Sequence, residues 1–289
     1  MQYTDDELKS YITKAYEIIP SLCEQLFYKH NDLKSIEHLY HYTNYNSFIN
    51  GIVKDNREKD KEICLWATHC KHLNDPLEVI LGQNRFNKII KDENTKEKLS
   101  VIFKNDKLIC FSKKKDFLPM WSMYGNNGSG IMLSLNTKKL LREYGYRLMP
   151  CIYKNSDYDL NAIQKLFELS TKELATRLNK GEKSFVILIL SIIHILLLKD
   201  NSYKYEDEVR IIGIGNKLFE KPSKEEYRVI NGNKVVSYTK EYLKKDILEE
   251  VIIGPNQEVE KNCETIKNYL NSIGFGHVNV EISKVPYKG

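Results

Sequence analysis

Strand-like segments recur along this 289-residue chain, but the helical segments between them differ greatly in length. The first strand-like segment, 38–43, is aromatic and β-branched, and Asn44 or Asn46 can cap the short helix that follows it. The expected strands are 38–43, 62–68, 107–112, 130–136, 146–153, 205–214, 234–238, 249–253 and 277–282. Regular alternation of strand and helix is typical of a doubly wound parallel sheet, whereas irregular alternation favours an α+β fold. We therefore expect an α+β fold around a mixed or antiparallel central sheet.

Two helical segments lie outside this strand pattern. At the N-terminus, Thr4 and Glu7 have the spacing of a capping box, and apolar residues then recur at helical spacing as far as Leu26. A second helical stretch, 158–199, interrupts the strands. The sequence thus predicts an N-terminal helical extension at 1–37 and a single α+β domain at 38–289, with an inserted helical pair at about 158–199.

The second inserted helix contains the most apolar run of the chain, Phe185–Leu198. This run has 14 residues, interrupted only by Ser191 and His194, and a helix needs roughly 20 apolar residues to cross a bilayer. We expect it to be a buried helix, and we expect no membrane association.

Charge and cysteine content indicate a cytoplasmic protein. The first seven residues are polar and acidic, unlike a secretory signal. The six cysteines include no CxxC pair, so reduced thiols are expected.

The net charge of +5 is spread along the chain and does not require a nucleic-acid partner. Lys104–Lys115 is locally basic, either as a solvated loop or as a phosphate contact.

The segment Tyr205–Ile211 is the strongest candidate for chemistry. If it is a strand, Glu206, Glu208 and Arg210 project from one face, because side chains alternate along a strand. Arg210 can then hold one carboxylate ionised, which leaves the other for a substrate hydroxyl or a cationic centre. The alternative is an ordinary salt bridge on an exposed sheet face.

Two aromatic segments supply candidate ligand-binding residues. In the strand at 38–43, His41 can donate to a ribose hydroxyl with Thr43 beside it, unless it is a structural histidine bonded to a backbone carbonyl. In the helical turn before Gly125, Trp121 and Tyr124 can stack on a base or a nicotinamide ring. Aromatic core packing is the alternative for both rings.

No metal site is expected. Cysteine and histidine cluster between Cys64 and His72, but their spacing is not that of a standard zinc-ligand pair.

Several of these segments, in this order, resemble a bacterial family, domain of unknown function 2971. The segments that carry the resemblance are 38–43, 73–78, 109–112, 120–124, Gly130, 205–210 and 251–254. The resemblance covers about residues 38 to 285. This family is similar, more distantly, to ADP-ribosyltransferases with a His–Tyr–Glu triad. The resemblance therefore implies an ADP-ribosyltransferase-like sheet and NAD as substrate.

In that triad, a histidine on the first strand holds a ribose of NAD, a tyrosine stacks on nicotinamide, and a glutamate bonds the nicotinamide ribose. The matching positions are His41, Tyr124 and either Glu208 or Glu206. The implied function is an NAD-using transferase or glycohydrolase, in the manner of a toxin or an anti-phage defence effector, with a protein or nucleic-acid acceptor. Two alternatives remain open: a non-catalytic module that senses a nucleotide or binds a partner, and a nucleic-acid binder or nuclease that uses the basic loop.

Overall fold

The structure, a computed structural model, contains a large sheet flanked by helices. It describes residues 10, 14, 17–23, 33–53, 62–73, 80, 84, 107–153, 178–212, 225–230, 234–256 and 259–287. The expected capping box of Thr4 and Glu7, the 158–177 part of the inserted helical pair and residues 104–106 of the basic loop lie outside these ranges.

The described residues form a ten-stranded sheet and a separate two-stranded one. The strands are β1 (His38–Thr43), β2 (Glu62–His69), β3 (Lys107–Ser112), β4 (Ile131–Asn136), β5 (Leu148–Pro150), β6 (Ile152–Tyr153), β7 (Leu198–Lys199), β8 (Glu208–Ile212), β9 (Glu226–Ile230), β10 (Lys234–Lys244), β11 (Leu248–Ile253) and β12 (Asn279–Ile282). The main path runs β12–β11–β4–β1–β3–β2–β10–β9, while β8 pairs with β3 and β5. In the large sheet β11 and β12 pair in parallel and the other pairs are antiparallel. The predicted α+β fold with a mixed, mostly antiparallel sheet is confirmed.

The helices of the described ranges include a three-residue one at Tyr45–Ser47 and four longer ones with complete bounds. The four longer helices are α1 (Leu118–Met123), α2 (Thr137–Tyr144), α3 (Lys180–Leu197) and α4 (Val259–Ser272). Side-chain alternation along β3 and β8 separates two cores. Ile109 and Val209 pack in the core that includes residues of α2 and α4, whereas Leu108 and Ile212 pack in the core that includes α3.

The long apolar run folds as the buried helix α3. Its N-terminus carries a full capping box, in which Asn179 and Glu182 exchange side-chain to backbone hydrogen bonds. The N-terminal residues Ile19, Leu22 and Cys23 pack in the same core as α3. None of the described helices is long and apolar enough to cross a bilayer.

Three strand predictions need correction. The segment 146–153 is two short strands in different sheets, preceded by a 3-10 turn at Gly145–Arg147. β9 was not predicted, and β10 continues to Lys244, well beyond the expected end. The segment at 205 begins not as a strand but as the end of a 3-10 turn, Asn201–Glu206, and β8 starts only at Glu208.

The physical reason for this last difference is Asp207. Its φ of 45° lies in the left-handed region, which interrupts an extended chain. Asp200 caps the preceding turn by accepting from the Ser202 amide at 3.0 Å. The carboxylate of Asp207 also pairs with Lys113 and Lys114, at 3.3 and 3.6 Å. Glu206 and Glu208 therefore lie on either side of a sharp backbone bend.

Gly51 permits a close approach that fixes the ring of Trp66 on β2. A Cβ atom at Gly51 would lie 2.2 Å from the Trp66 ring. We expect Gly51→Ala to displace this ring and to lower the free energy of unfolding by about 1–3 kcal/mol, the usual cost of overpacking. Urea unfolding measures the difference. Gly276→Ala is the control, since its Cβ would meet only the end of the Asn271 side chain; equal losses in both variants would contradict the role of Gly51.

Candidate functional site

The large sheet forks at β3. One edge of β3 pairs with β8 from Leu108 to Ser112. The other edge pairs with β1 at Ser112 and with β2 at Leu108 and Lys107. Between these points β1 and β2 diverge, and the ring of His41 bonds the Cys110 carbonyl there, with Nδ1 to oxygen at 3.0 Å. The fork leaves an opening within the sheet.

A cavity of about 230 Å³ lies at this opening. Its lining includes five of the seven site residues predicted from the sequence: His41, Thr43, Tyr124, Glu206 and Glu208. Lys199, Trp66 and Arg228 line it as well. The fork thus brings together side chains that are far apart in the chain, such as His41 and Arg228, which are 187 positions apart.

Four buried charges form one network beside the cavity. Lys199 Nζ donates to Glu206 Oε2 and to Glu208 Oε2. Arg210 donates to Glu208 through Nε at 2.8 Å and through Nη2 at 3.1 Å. None of the four side chains is more than 6% exposed. Two carboxylates and two cations make the network neutral, which is the condition under which buried charges are tolerated.

The bend at Asp207 and the end of α3 build this network. Lys199 follows the last turn of α3 directly, on β7. The Arg210 guanidinium also donates from Nη1 to the carbonyl of Leu196, in that same last turn, where a cation satisfies a free helix carbonyl. Lys199 therefore comes from the end of α3 and Arg210 from β8, while Glu206 and Glu208 come from the two sides of the bend at Asp207.

The surroundings keep the lysine charged. Burial opposes its charge, but Glu208 and Glu206 raise the pKa of the Lys199 ammonium well above its usual value. Burial raises the pKa of Glu208, although Lys199 opposes that shift. At Lys199 the attraction of the carboxylates outweighs the loss of hydration, whereas at Glu208 the loss of hydration outweighs the attraction of the lysine.

Tyr124 connects the network to the cavity. Its hydroxyl donates to Glu206 Oε1 at 2.7 Å. Burial and the neighbouring charge of Glu206 raise the pKa of this phenol, so it stays protonated and acts as a donor. Glu206 is therefore oriented by one cation and one neutral donor, whereas Glu208 is held by two cations.

His41 is held in its neutral form. A carbonyl oxygen only accepts, so Nδ1 carries the proton and Nε2 is an acceptor. Burial lowers the pKa of His41, and the charge of Arg228 lowers it further. The ring can accept a hydrogen bond from a ligand hydroxyl, whereas the sequence analysis had assigned it a donor role.

Two predicted site residues lie elsewhere. Trp121 is fully buried, packs edge-on against Tyr42 with ring centroids 5.0 Å apart, and donates to Asp116 Oδ1 at 2.8 Å. Its ring leaves no face for a ligand, so the alternative of core packing applies. Arg210 lies behind Glu208 and does not line the cavity. Arg210 does hold one of the two carboxylates, as expected, and that carboxylate is Glu208.

Sequence reasoning missed Lys199 and Arg228. A lysine that directly follows a long apolar helix was a usable signal for Lys199, since an ammonium at such a position needs buried acidic partners. Arg228 had no comparable signal, because β9 itself was not predicted.

The basic loop shows no ligand site in the part of the chain that is described, and His72 of the cysteine–histidine cluster lines the cavity. Lys113 and Lys114 pair with Asp207, and Lys115 pairs with Glu250 at 2.8 Å. All six cysteines are free thiols. Within the described ranges, no group of three or more His, Cys, Asp or Glu side chains is arranged to hold a metal ion.

One family model matches the part of the chain that carries the network. Residues 120–211 match the family described as Protein of unknown function (DUF2971). The match spans about a third of the chain and includes Tyr124, Lys199, Glu206, Glu208 and Arg210. It supports the DUF2971 resemblance, and it ends before Arg228. No curated protein and no solved structure matches the chain.

Proposed function

We propose that this protein is an ADP-ribosyltransferase-like enzyme that uses NAD, as a transferase or a glycohydrolase. The observation that carries the proposal is the shared cavity of His41, Tyr124, Glu206 and Glu208. These are the residue types of the His–Tyr–Glu triad, and they come from three distant parts of the chain. Such a cavity with a few convergent polar groups is the usual form of a small-molecule site.

In the proposed reaction the bond between C1′ of the ribose and the nicotinamide nitrogen breaks. The electron pair leaves with nicotinamide, so positive charge develops on the ribose. An acceptor nucleophile, or water, then bonds C1′ and loses its proton. A fixed carboxylate near C1′ stabilises a charge that is present only in the transition state.

We assign this catalytic role to Glu206 and a positioning role to Glu208. Arg210 and Lys199 both hold Glu208, so its charge is largely compensated. Glu206 shares a single cation and accepts from Tyr124. The sequence left open which glutamate is catalytic, and the assignment follows from the argument made there, that the carboxylate not held by Arg210 is left for the substrate.

The cavity is smaller than the roughly 300–1,000 Å³ of most ligand pockets. Its volume of about 230 Å³ suits the nicotinamide riboside part of NAD, with the remainder outside. A toxin or anti-phage defence role belongs to the proposal, because modification of an essential acceptor or depletion of NAD would arrest a cell.

A second candidate is a non-catalytic nucleotide sensor. The observation that favours it is the pairing of both carboxylates, since each of the four carboxylate oxygens already accepts a hydrogen bond. The nucleic-acid alternative gains no such support, because the described lysines of the basic loop are paired with carboxylates.

The decisive experiment incubates the purified protein with NAD and measures released nicotinamide and protein-bound nucleotide in the same sample. Nicotinamide release that is lost in Glu206→Gln and retained in the surface control Lys138→Met supports the enzyme. Binding of NAD without release, with candidate acceptors present, favours the sensor. Absence of both binding and release overturns the proposal.

A further inference from the structure

Arg228 lies on β9, at one end of the strand order, and lines the cavity together with residues of β2. It lies opposite Val236 of β10, and its side chain crosses Tyr238 to reach β2. There its guanidinium carbon lies 4.5 Å from the centre of the Trp66 ring, and Nη2 donates to Thr68 Oγ1 at 3.2 Å. The aromatic rings and the hydroxyl fix the guanidinium in one plane at the cavity wall.

The guanidinium of Arg228 has more hydrogen-bond donors than partners among the described residues. It carries five N–H donors, and the contact with Thr68 is the one hydrogen bond that it makes to the described residues. No described carboxylate lies within 4 Å of it, although neighbouring Lys240 pairs with Glu226 at 2.9 Å. Its Nε is buried without a hydrogen-bond partner in the described part of the chain.

The charge balance of the cavity depends on this residue. Lys199, Arg210, Glu206 and Glu208 cancel one another, and His41 is neutral. Arg228 therefore adds a positive charge that these groups do not compensate. Burial lowers the pKa of Arg228, which reflects the cost of keeping a cation there without a carboxylate.

We propose that Arg228 is an anion-binding subsite that receives a phosphate group of a nucleotide ligand. A planar guanidinium matches phosphate with two parallel hydrogen bonds. This inference rests on the proposed function only in taking the cavity as the ligand site; it does not depend on NAD cleavage.

Thermal unfolding separates this role from a structural one. Arg228→Met removes a partly buried cation that has no carboxylate partner among the described residues and keeps apolar bulk, so we expect its Tm in phosphate-free buffer to equal or exceed that of the wild type. Inorganic pyrophosphate should raise the Tm of the wild type, because a ligand that binds the native state stabilises it, and should leave the Tm of Arg228→Met unchanged. The surface control Arg142→Met should respond like the wild type. A lower Tm for Arg228→Met, together with the same pyrophosphate response, would show a structural arginine.

Calorimetric titration then identifies the anion. We expect Arg228→Met to raise the Kd of ADP roughly 10- to 100-fold, the scale of losing hydrogen bonds to a charged group. Arg228→Lys should give an intermediate value, since it keeps the charge but not the planar fork. Adenosine should bind the wild type and Arg228→Met equally. If the wild type binds succinate more tightly than pyrophosphate, the subsite prefers carboxylates to phosphates, and the proposal is overturned.

The outcomes keep the two proposals distinct. Binding of ADP that depends on Arg228 in a protein that releases no nicotinamide retains the subsite and ends the enzyme proposal. If Arg228→Met releases nicotinamide with an unchanged KM for NAD, the enzyme proposal is retained and the phosphate subsite is overturned.

Discussion

Lys199→Met is expected to lower the free energy of unfolding by about 3–5 kcal/mol, the usual cost of removing one partner from a buried ion pair. The loss of Lys199 leaves Glu206 and Glu208 buried near each other, with Arg210 as the remaining cation of the network. Denaturant unfolding at neutral pH measures the loss. Lys138→Met is the matched control, because Lys138 is exposed and surface substitutions usually change stability by less than about 0.5 kcal/mol.

The effect should depend on pH in a defined direction. Without Lys199, burial and mutual repulsion raise the carboxyl pKa in the folded state above its value in the unfolded chain. The folded state then binds more protons than the unfolded state between these two pKa values, so stability falls as pH rises. Lys199→Met should therefore recover stability relative to the wild type as the pH is lowered towards 5.

A double variant isolates the charge effect from the loss of packing. Lys199→Met combined with Glu206→Gln removes one charge of each sign and should be more stable than Lys199→Met alone. If both variants lose the same stability and the loss does not change with pH, the network does not control the fold, and the assignment of Lys199 is wrong.

The sequence predicted the fold better than the boundaries of its elements. Strand runs such as His38–Thr43 and Lys107–Ser112 were correct to the residue, because most residues of these short segments are apolar or aromatic. The Tyr205–Ile211 segment was misassigned at its start, since a left-handed aspartate interrupts a strand without any change in alternation. The alternation of side-chain types along a segment does not predict the φ angle of one residue within it.

The candidate site was predicted in part for a related reason. His41, Tyr124, Glu206 and Glu208 were found because their residue types suggest chemistry, and the cavity includes all four. The partner of each charge depends on which elements meet in space. Periodicity cannot reveal that Lys199 at a helix end lies between two glutamates, or that Arg228 crosses a strand to stack on Trp66.

Glu206→Gln is expected to reduce nicotinamide release by roughly two to three powers of ten, the scale of losing one preorganised electrostatic contact. Glutamine keeps the shape of the side chain and can still accept from Tyr124, but it lacks the charge that stabilises the developing cation on the ribose. NAD affinity should change little, because that charge matters mainly in the transition state. The fold should persist, since Glu208 remains to pair with Lys199 and Arg210.

Comparison with Glu208→Gln decides which glutamate is catalytic. Glu208 accepts hydrogen bonds from both Arg210 and Lys199, so its replacement removes the carboxylate that these two buried cations share. We expect Glu208→Gln to lose mainly stability, by several kcal/mol, whereas Glu206→Gln should lose mainly turnover. Steady-state kinetics and unfolding of both variants, measured at a temperature at which both are folded, separate the two effects. A folded Glu208→Gln that has lost more turnover than Glu206→Gln would return the catalytic role to Glu208, because a positioning residue should not exceed the group that it positions.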